Sequence, residues 1–250
     1  MPIPLVTASL MHDWPRPEAA FLFLDFDGTL VDIASTPDGI CVPPDLPDLL
    51  AGLWHRTDGR ACIVSGRSVD DLAQYLPDFP GDLYGGHGAQ ARIAGDMRDH
   101  HLAGSPAILQ YQAAIRDFVA DHAGTLAEMK AAGAVLHFRN APDLAAEATR
   151  FAEQLVEDDP DMVAHPAKMA MELKPADVDK GGVVSSLLRD GVTPLFCGDD
   201  TTDEAGFAVV NTAGGHSIKV GEGETQARWR VPDPATMRRV LKDWLAGGTQ

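Results

Sequence analysis

The sequence predicts an α/β protein: a doubly wound parallel sheet interrupted once by an inserted α+β cap. Three observations lead there. Short continuous apolar runs recur at Phe21–Leu24, Ala61–Val64 and Pro194–Cys197, as expected of strands buried on both faces of a parallel sheet. Segments of helical period separate the runs, and strands alternating with helices imply parallel winding. Between residues 105 and 173 a different helix and strand pattern breaks this alternation. The expected domains are therefore a core of 1–104 with 174–250, and a cap of 105–173.

The elements follow in order. The first twenty residues carry Pro2, Pro4, Pro15 and Pro17 and read as an irregular arm. The first strand, 21–24, leads into a loop with Pro37, Gly39, Pro43 and Pro44. A helix over 45–55 places Leu46, Leu49, Leu50 and Leu53 on one side. A second buried strand, 61–64, precedes a short helix over 70–76. Residues 82–84 lead into Gly85-Gly86-His87-Gly88, and a hairpin is expected around Gly95-Asp96. In the cap, a helix spans 106–123, a strand 135–139 and a helix 143–157, with a β pair from 163–164 and 168–173. The core resumes with a helix over 183–189, a third buried strand at 194–197, a helix over 203–210 and a strand at 217–220. The closing helix, 234–245, sets Met237, Val240, Leu241 and Trp244 on its apolar side.

Charge narrows the function. The net charge is −17, from 20 basic and 37 acidic residues. That argues against non-specific nucleic-acid binding and against docking on anionic lipid. A protein this acidic needs a local cation to hold a phosphate ester, so a divalent metal and a few placed Lys or Arg are expected. Cys41, Cys62 and Cys197 form no disulfide framework or zinc spacing. Cys62 and Cys197 lie inside apolar runs and read as small buried hydrophobes. The N-terminus has no basic region followed by a long apolar core, and no stretch reaches the length of a membrane span. A cytoplasmic monomer acting on a small molecule is expected.

Four strand ends carry the chemistry. Asp25-Phe26-Asp27-Gly28-Thr29 follows the first buried strand. Ligands of open α/β sheets bind outside the carboxyl ends of strands. Two acids there are costly to desolvate unless a cation or a reaction uses them. Asp25, nearest the strand, suits a nucleophile, and Asp27 a proton donor and acceptor; a solvated Asp-Gly turn is the alternative. Ser65-Gly66-Arg67 offers a hydroxyl and backbone N–H groups before a helix, which suits phosphate; an N-cap serine with a turn glycine accounts for it equally. Lys180 opens a helix whose dipole opposes it. A nearby anion would explain that, as would a surface position. Asp199, Asp200, Asp203 and Glu204 put four acids in six residues after the third strand. Oxygen ligands of this kind suit Mg²⁺, although the helix dipole alone favours Asp203 and Glu204.

Together these motifs resemble the haloacid dehalogenase-like phosphatases, whose fold is a Rossmann-like core. Further motifs are His87-Gly88-Ala89, Leu136-His137-Phe138-Arg139 with Ala141-Pro142, Met171-Glu172-Leu173-Lys174-Pro175, Lys219-Val220-Gly221 and Ala227-x-Trp229-Arg230-Val231. With these the chain resembles the trehalose-6-phosphate phosphatase family. The resemblance implies hydrolysis of trehalose 6-phosphate with Mg²⁺. Asp25 would be the nucleophile and Asp27 the acid/base. Ser65 and Lys180 would hold phosphate with Gly66, Arg67 and His87. Asp25, Asp27 and Asp199 would hold the metal, supported by Asp200 and Asp203. Glu128, Lys130 and Glu172 match the family's sugar-reading residues, with Lys168 a further candidate. At Gln90 the family usually has Glu.

Overall fold

A computed structural model describes residues 4, 13–34, 39–167 and 169–247. Most of the expected N-terminal arm, Pro37 and Lys168 lie outside the described residues. The chain divides into two units, Met1–Arg98 with Asp179–Gln250, and Asp99–Val178. In chain order the first unit opens with β1 (Ala20–Leu24), α1 (Leu46–Arg56), β2 (Ala61–Val64), α2 (Val69–Tyr75), β3 (Asp82–Gly85), β4 (Gln90–Ile93) and β5 (Asp96–Asp99). Next come α3 (Pro106–Asp121), β6 (Leu126–Lys130), β7 (Gly133–His137), α4 (Ala145–Val156), β8 (Met162–Ala167) and β9 (Ala170–Pro175) of the second unit. The first unit closes with α5 (Lys180–Leu187), β10 (Thr193–Gly198), α6 (Asp203–Thr212), β11 (His216–Val220), β12 (Trp229–Val231) and α7 (Pro234–Gly247).

The first unit is built on one sheet in the order β12-β11-β10-β1-β2-β3-β4-β5. Pairing is parallel from β12 to β3 and turns antiparallel between β3 and β4. Every residue of β1 is buried. Its side chains alternate between two cores, as a pleated strand requires. Leu22 and Leu24 pack with Leu50 and Leu53 of α1 and Met237 and Leu241 of α7. Phe21 and Phe23 pack with Val184 of α5 and Phe207 of α6. Each such side chain contributes roughly 1.5–3 kcal/mol on burial, enough to outweigh the ~1–2 kcal/mol of ordering its backbone. Helices thus cover both faces, and the order reverses at β1, which lies between β10 and β2. Cys62 and Cys197 are buried members of these cores, and burial pushes both thiols up.

The second unit is a sheet in the order β6-β7-β9-β8 with antiparallel pairing throughout. α3 and α4 bury Ile108, Ile115, Phe118, Ala148 and Ala152 against Leu136, Met171 and Leu173. Ser105 caps α3 by accepting from the Ile108 N–H, with Pro106 in the first turn. The unit is wider than the expected 105–173. Leu102 packs on its core, Gly104 N–H donates to the Ala131 carbonyl, and His100 pairs with Asp177 at 3.1 Å.

β6 and β12 are among the strands that escape the sequence reading. β6 is made of Leu, Ala, Glu, Met and Lys, all good helix formers. Pairing with β7 overrides that preference, and buried Gln112 fixes the turn by donating to the carbonyls of Lys130 and Gly133 at 2.8 and 3.1 Å. β12 has only three residues, too few to show a period. No helix among the described residues is long and apolar enough to cross a membrane.

Candidate active site

Asp25 is placed by the strand before it: its backbone N–H donates to the Cys197 carbonyl at 2.9 Å, which ties the end of β1 to β10. Its Oδ1 accepts from Lys180 Nζ at 2.7 Å. The same ammonium donates to Asp203 Oδ1 at 2.6 Å. All three side chains are buried, so Lys180 is no surface lysine. It stands in the first turn of α5 because two carboxylates face it. Asp203 Oδ2 accepts from the backbone N–H groups of Asp199 and Asp200 at 2.8 and 3.0 Å. Asp203 therefore holds the turn that presents Asp199. A Cβ on Gly198 would fall 2.2 Å from the Asp203 carboxyl carbon, so glycine is needed there.

Three acids gather here: ligand oxygens of Asp25, Asp199 and Asp203 lie within 4.8 Å of one another. Burial pushes Asp25 up to about 7, against the pull of Lys180 and with a further push from Asp199. Burial raises Asp199 to about 6 and Asp203 to about 7, each aided by neighbouring carboxylates. Burial would lower the Lys180 ammonium, but Asp25 and Asp203 outweigh it and hold it well above its usual value. Asp200 is also pushed up by burial, yet Lys180 and the Thr202 hydroxyl win and keep it low. Its Oδ1 accepts from Thr202 Oγ1 at 2.6 Å and from Thr202 N–H at 2.8 Å. Asp200 is thus spent on its own turn.

Asp25 also carries an orphaned atom. Among the described residues, buried Asp25 Oδ2 has no hydrogen-bond partner. A buried carboxylate oxygen facing other acids is expensive without a cation. The donors are hard oxygens, as Mg²⁺ prefers, so the residues present fit a divalent cation of that kind. Gly28 makes the approach possible. It has φ +76, and a Cβ there would lie 2.1 Å from an Asp199 oxygen. Thr29 Oγ1 donates to Asp199 Oδ1 at 3.5 Å. Lys219 Nζ, from buried β11, donates to the Asp199 backbone carbonyl. The sequence showed Lys219 only as part of a family motif, although a lysine inside an apolar strand is itself a signal.

Asp27 and the second loop meet directly. Arg67 Nε donates to Asp27 Oδ2 at 2.6 Å and Nη2 to Asp27 Oδ1 at 2.7 Å. Ser65 is buried at the end of β2, and its Oγ accepts from the Arg67 N–H at 3.2 Å. His87 has φ +58 and packs over Gly66, where a Cβ would fall 2.8 Å from the ring. In the second unit, register puts Glu128, Val135, Glu172 and His165 in one cross-strand row. Lys130 Nζ donates to Glu172 Oε1 at 2.5 Å. His137 Nε2 pairs with Glu128 Oε2 at 2.9 Å. Glu172 is buried and lies on an inner strand. The sequence shows His137 only as part of a motif; its spacing of two from Val135 marks it as sharing that face.

Comparison with known proteins fits this geometry. A family model described as trehalose-phosphatase matches residues 23–235. The chain belongs to the trehalose-phosphatase family. Among curated relatives, the trehalose-6-phosphate phosphatase of Escherichia coli K12 is 36% identical over 219 residues, covering 84% of this chain and 82% of the relative. A probable trehalose-phosphate phosphatase of Sinorhizobium fredii is 36% identical over 227 residues, covering 88% and 85%. A crystal structure of a trehalose-6-phosphate phosphatase related protein superposes with TM-score 0.71 at 29% identity, covering 92% of this chain and 98% of that one. The trehalose-phosphatase fold is shared more widely, with haloacid dehalogenase-like hydrolases.

Proposed function

We propose that this chain is a Mg²⁺-dependent phosphatase that hydrolyses trehalose 6-phosphate to trehalose and phosphate. The observation that carries the chemistry is the buried Asp25, with one oxygen on Lys180 and the other orphaned beside Asp199. Family membership and the relatives' named activity support the substrate. Asp25 attacks phosphorus and the bond from phosphorus to the sugar oxygen breaks, with Asp27 giving that oxygen a proton. Water then attacks the aspartyl-phosphate, the bond to Asp25 breaks, and Asp27 takes the water proton. Lys180 offsets charge on the phosphoryl oxygens, and Ser65 and the loop N–H groups orient them. Asp25, the Asp27 backbone carbonyl and Asp199 would hold Mg²⁺, which supplies charge stabilisation to the phosphoryl group when bound. Glu128, Lys130 and Glu172 read the sugar through charge-assisted hydrogen bonds.

The deciding experiment measures phosphate release from trehalose 6-phosphate beside a panel of other sugar phosphates, with Mg²⁺ and with excess chelator. Trehalose 6-phosphate should be preferred and chelation should stop turnover. Asp25→Asn should reduce activity to background while remaining folded, and mass spectrometry should place the trapped phosphoryl adduct of the wild type on Asp25. A preference for another sugar phosphate, or return of the phosphoryl group to a sugar, would instead show a different phosphatase or a mutase.

A further inference from the structure

We infer that Arg67 is a positioning residue for Asp27, fixing the acid/base carboxylate rather than holding phosphate. The inference rests on the acid/base role given to Asp27 above. The guanidinium meets both Asp27 oxygens through two parallel bonds of 2.6 and 2.7 Å. Such a fork fixes the plane of a carboxylate as well as its distance. Arg67 is itself well anchored. Its side chain is only 13% exposed and lies 5.1 Å from the centre of the Tyr75 ring. Its N–H donates to Ser65 Oγ and its carbonyl accepts from Gly86 N–H at 2.7 Å. Asp27 is the looser partner, with a side chain 31% exposed, on a short turn closed by Gly28 N–H on the Val31 carbonyl. Without the fork its χ torsions are free to turn the carboxylate to solvent. Arg67 is committed to Asp27, whereas Lys180, Ser65 and the loop N–H groups already supply donors for phosphate.

The two roles separate by step. With p-nitrophenyl phosphate, the bond from Asp25 to phosphorus forms as nitrophenolate leaves, and that anion needs no proton. The second step needs Asp27 for every substrate, because water must give up a proton as its oxygen bonds to phosphorus and the bond to Asp25 breaks. In Arg67→Met, p-nitrophenyl phosphate should therefore give a burst of nitrophenol close to the enzyme concentration, then turnover slowed roughly 100-fold, within the usual range of acid/base contributions. KM should fall with turnover, because the phosphoryl-enzyme accumulates. With trehalose 6-phosphate both steps should slow and no burst should appear. Adding Arg67→Met to Asp27→Asn should alter p-nitrophenyl phosphate turnover by less than about 3-fold, because both changes remove the same function. A raised KM without a burst, or losses that multiply in the double variant, would overturn the inference and return Arg67 to phosphate binding. Thermal unfolding is followed for each protein. If Arg67→Met fails to fold, Arg67→Lys, which keeps the cation and loses the fork, carries the same comparison. If wild type cleaves p-nitrophenyl phosphate and not trehalose 6-phosphate, the substrate reading fails while the test of Arg67 stands.

Discussion

Lys180 is the single side chain on which the acidic site depends. Its ammonium donates to Asp25 Oδ1, and it also satisfies Asp203. Removing one member of a buried ion cluster leaves uncompensated charge, at a cost of roughly 3–5 kcal/mol. Lys180→Met should lose about that much in urea unfolding at pH 8 in chelator. The loss should shrink at pH 5, where Asp25 and Asp203, both raised to about 7, take up protons and no longer need a cation. An equal loss at both pH values would mean that these acids are not what Lys180 compensates. Gly28 is the second critical residue. A side chain there meets both a left-handed backbone and the Asp199 carboxylate. Gly28→Ala should cost about 1–2 kcal/mol from the backbone alone, and Mg²⁺ titration should show weaker binding as Asp199 is pushed aside. Undiminished Mg²⁺ affinity would show that Asp199 is not a ligand.

Among the elements, the inserted sheet carries substrate choice in this reading. β6, β7 and β9 align Glu128, Lys130, His137 and Glu172 because alternate positions hold Met129, Leu136, Met171 and Leu173 toward α3 and α4. Ala at Glu128, Lys130 or Glu172 should each lower kcat/KM for trehalose 6-phosphate. One charge-assisted hydrogen bond is worth roughly 1.5–3 kcal/mol, about one to two decades. Turnover of a small aryl phosphate should change little, since it lacks the second ring. Equal losses on both substrates would point to a damaged unit or a direct part in the chemistry. The helix-forming composition of β6 hides the strand that carries Glu128 and Lys130, which the sequence shows only through the family pattern. The i, i+2 spacing of Glu128 and Lys130 becomes meaningful only once they are known to share a strand face.

For the whole molecule, acidity and metal binding are linked through stability. Asp25, Asp199 and Asp203 have native pKa values of about 7, 6 and 7, above the ordinary 3.8. Over the window between these values the native state binds more protons than the unfolded chain. Stability in chelator should therefore fall as pH rises from about 4 to about 7. A divalent cation bound in the proposed site would compete with those protons and reverse the loss. Mg²⁺ at a hundredfold excess over its Kd contributes about 2.7 kcal/mol, or roughly 5–10 °C in Tm for a chain of this size. Calorimetry should show that gain at pH 8 and a smaller one at pH 5. A Tm gain independent of pH would indicate binding elsewhere on this strongly acidic surface.

Sequence alone determined the parts that local pattern encodes. Apolar runs mark β1, β2 and β10 because strands buried on both faces tolerate few polar residues. Asp25, Ser65 and Asp199 follow those runs directly, so the parallel winding brings their ends to one edge. Lys180 was visible as a cation in a helix turn that disfavours one, but its reason, two buried carboxylates from β1 and α6, lies 155 and 23 positions away. The sequence divides the labour among the acids only through the family resemblance, which makes Asp199 the ligand and Asp200 and Asp203 its support. Asp199, Asp200 and Asp203 look alike in a row, yet one faces Asp25, one bonds Thr202 and one joins Lys180 to the loop. The family resemblance places Arg67 with phosphate, and only the folded loops bring it onto Asp27. Side-chain partners at long separation are set by how strands stack and turns close, and no local period records them.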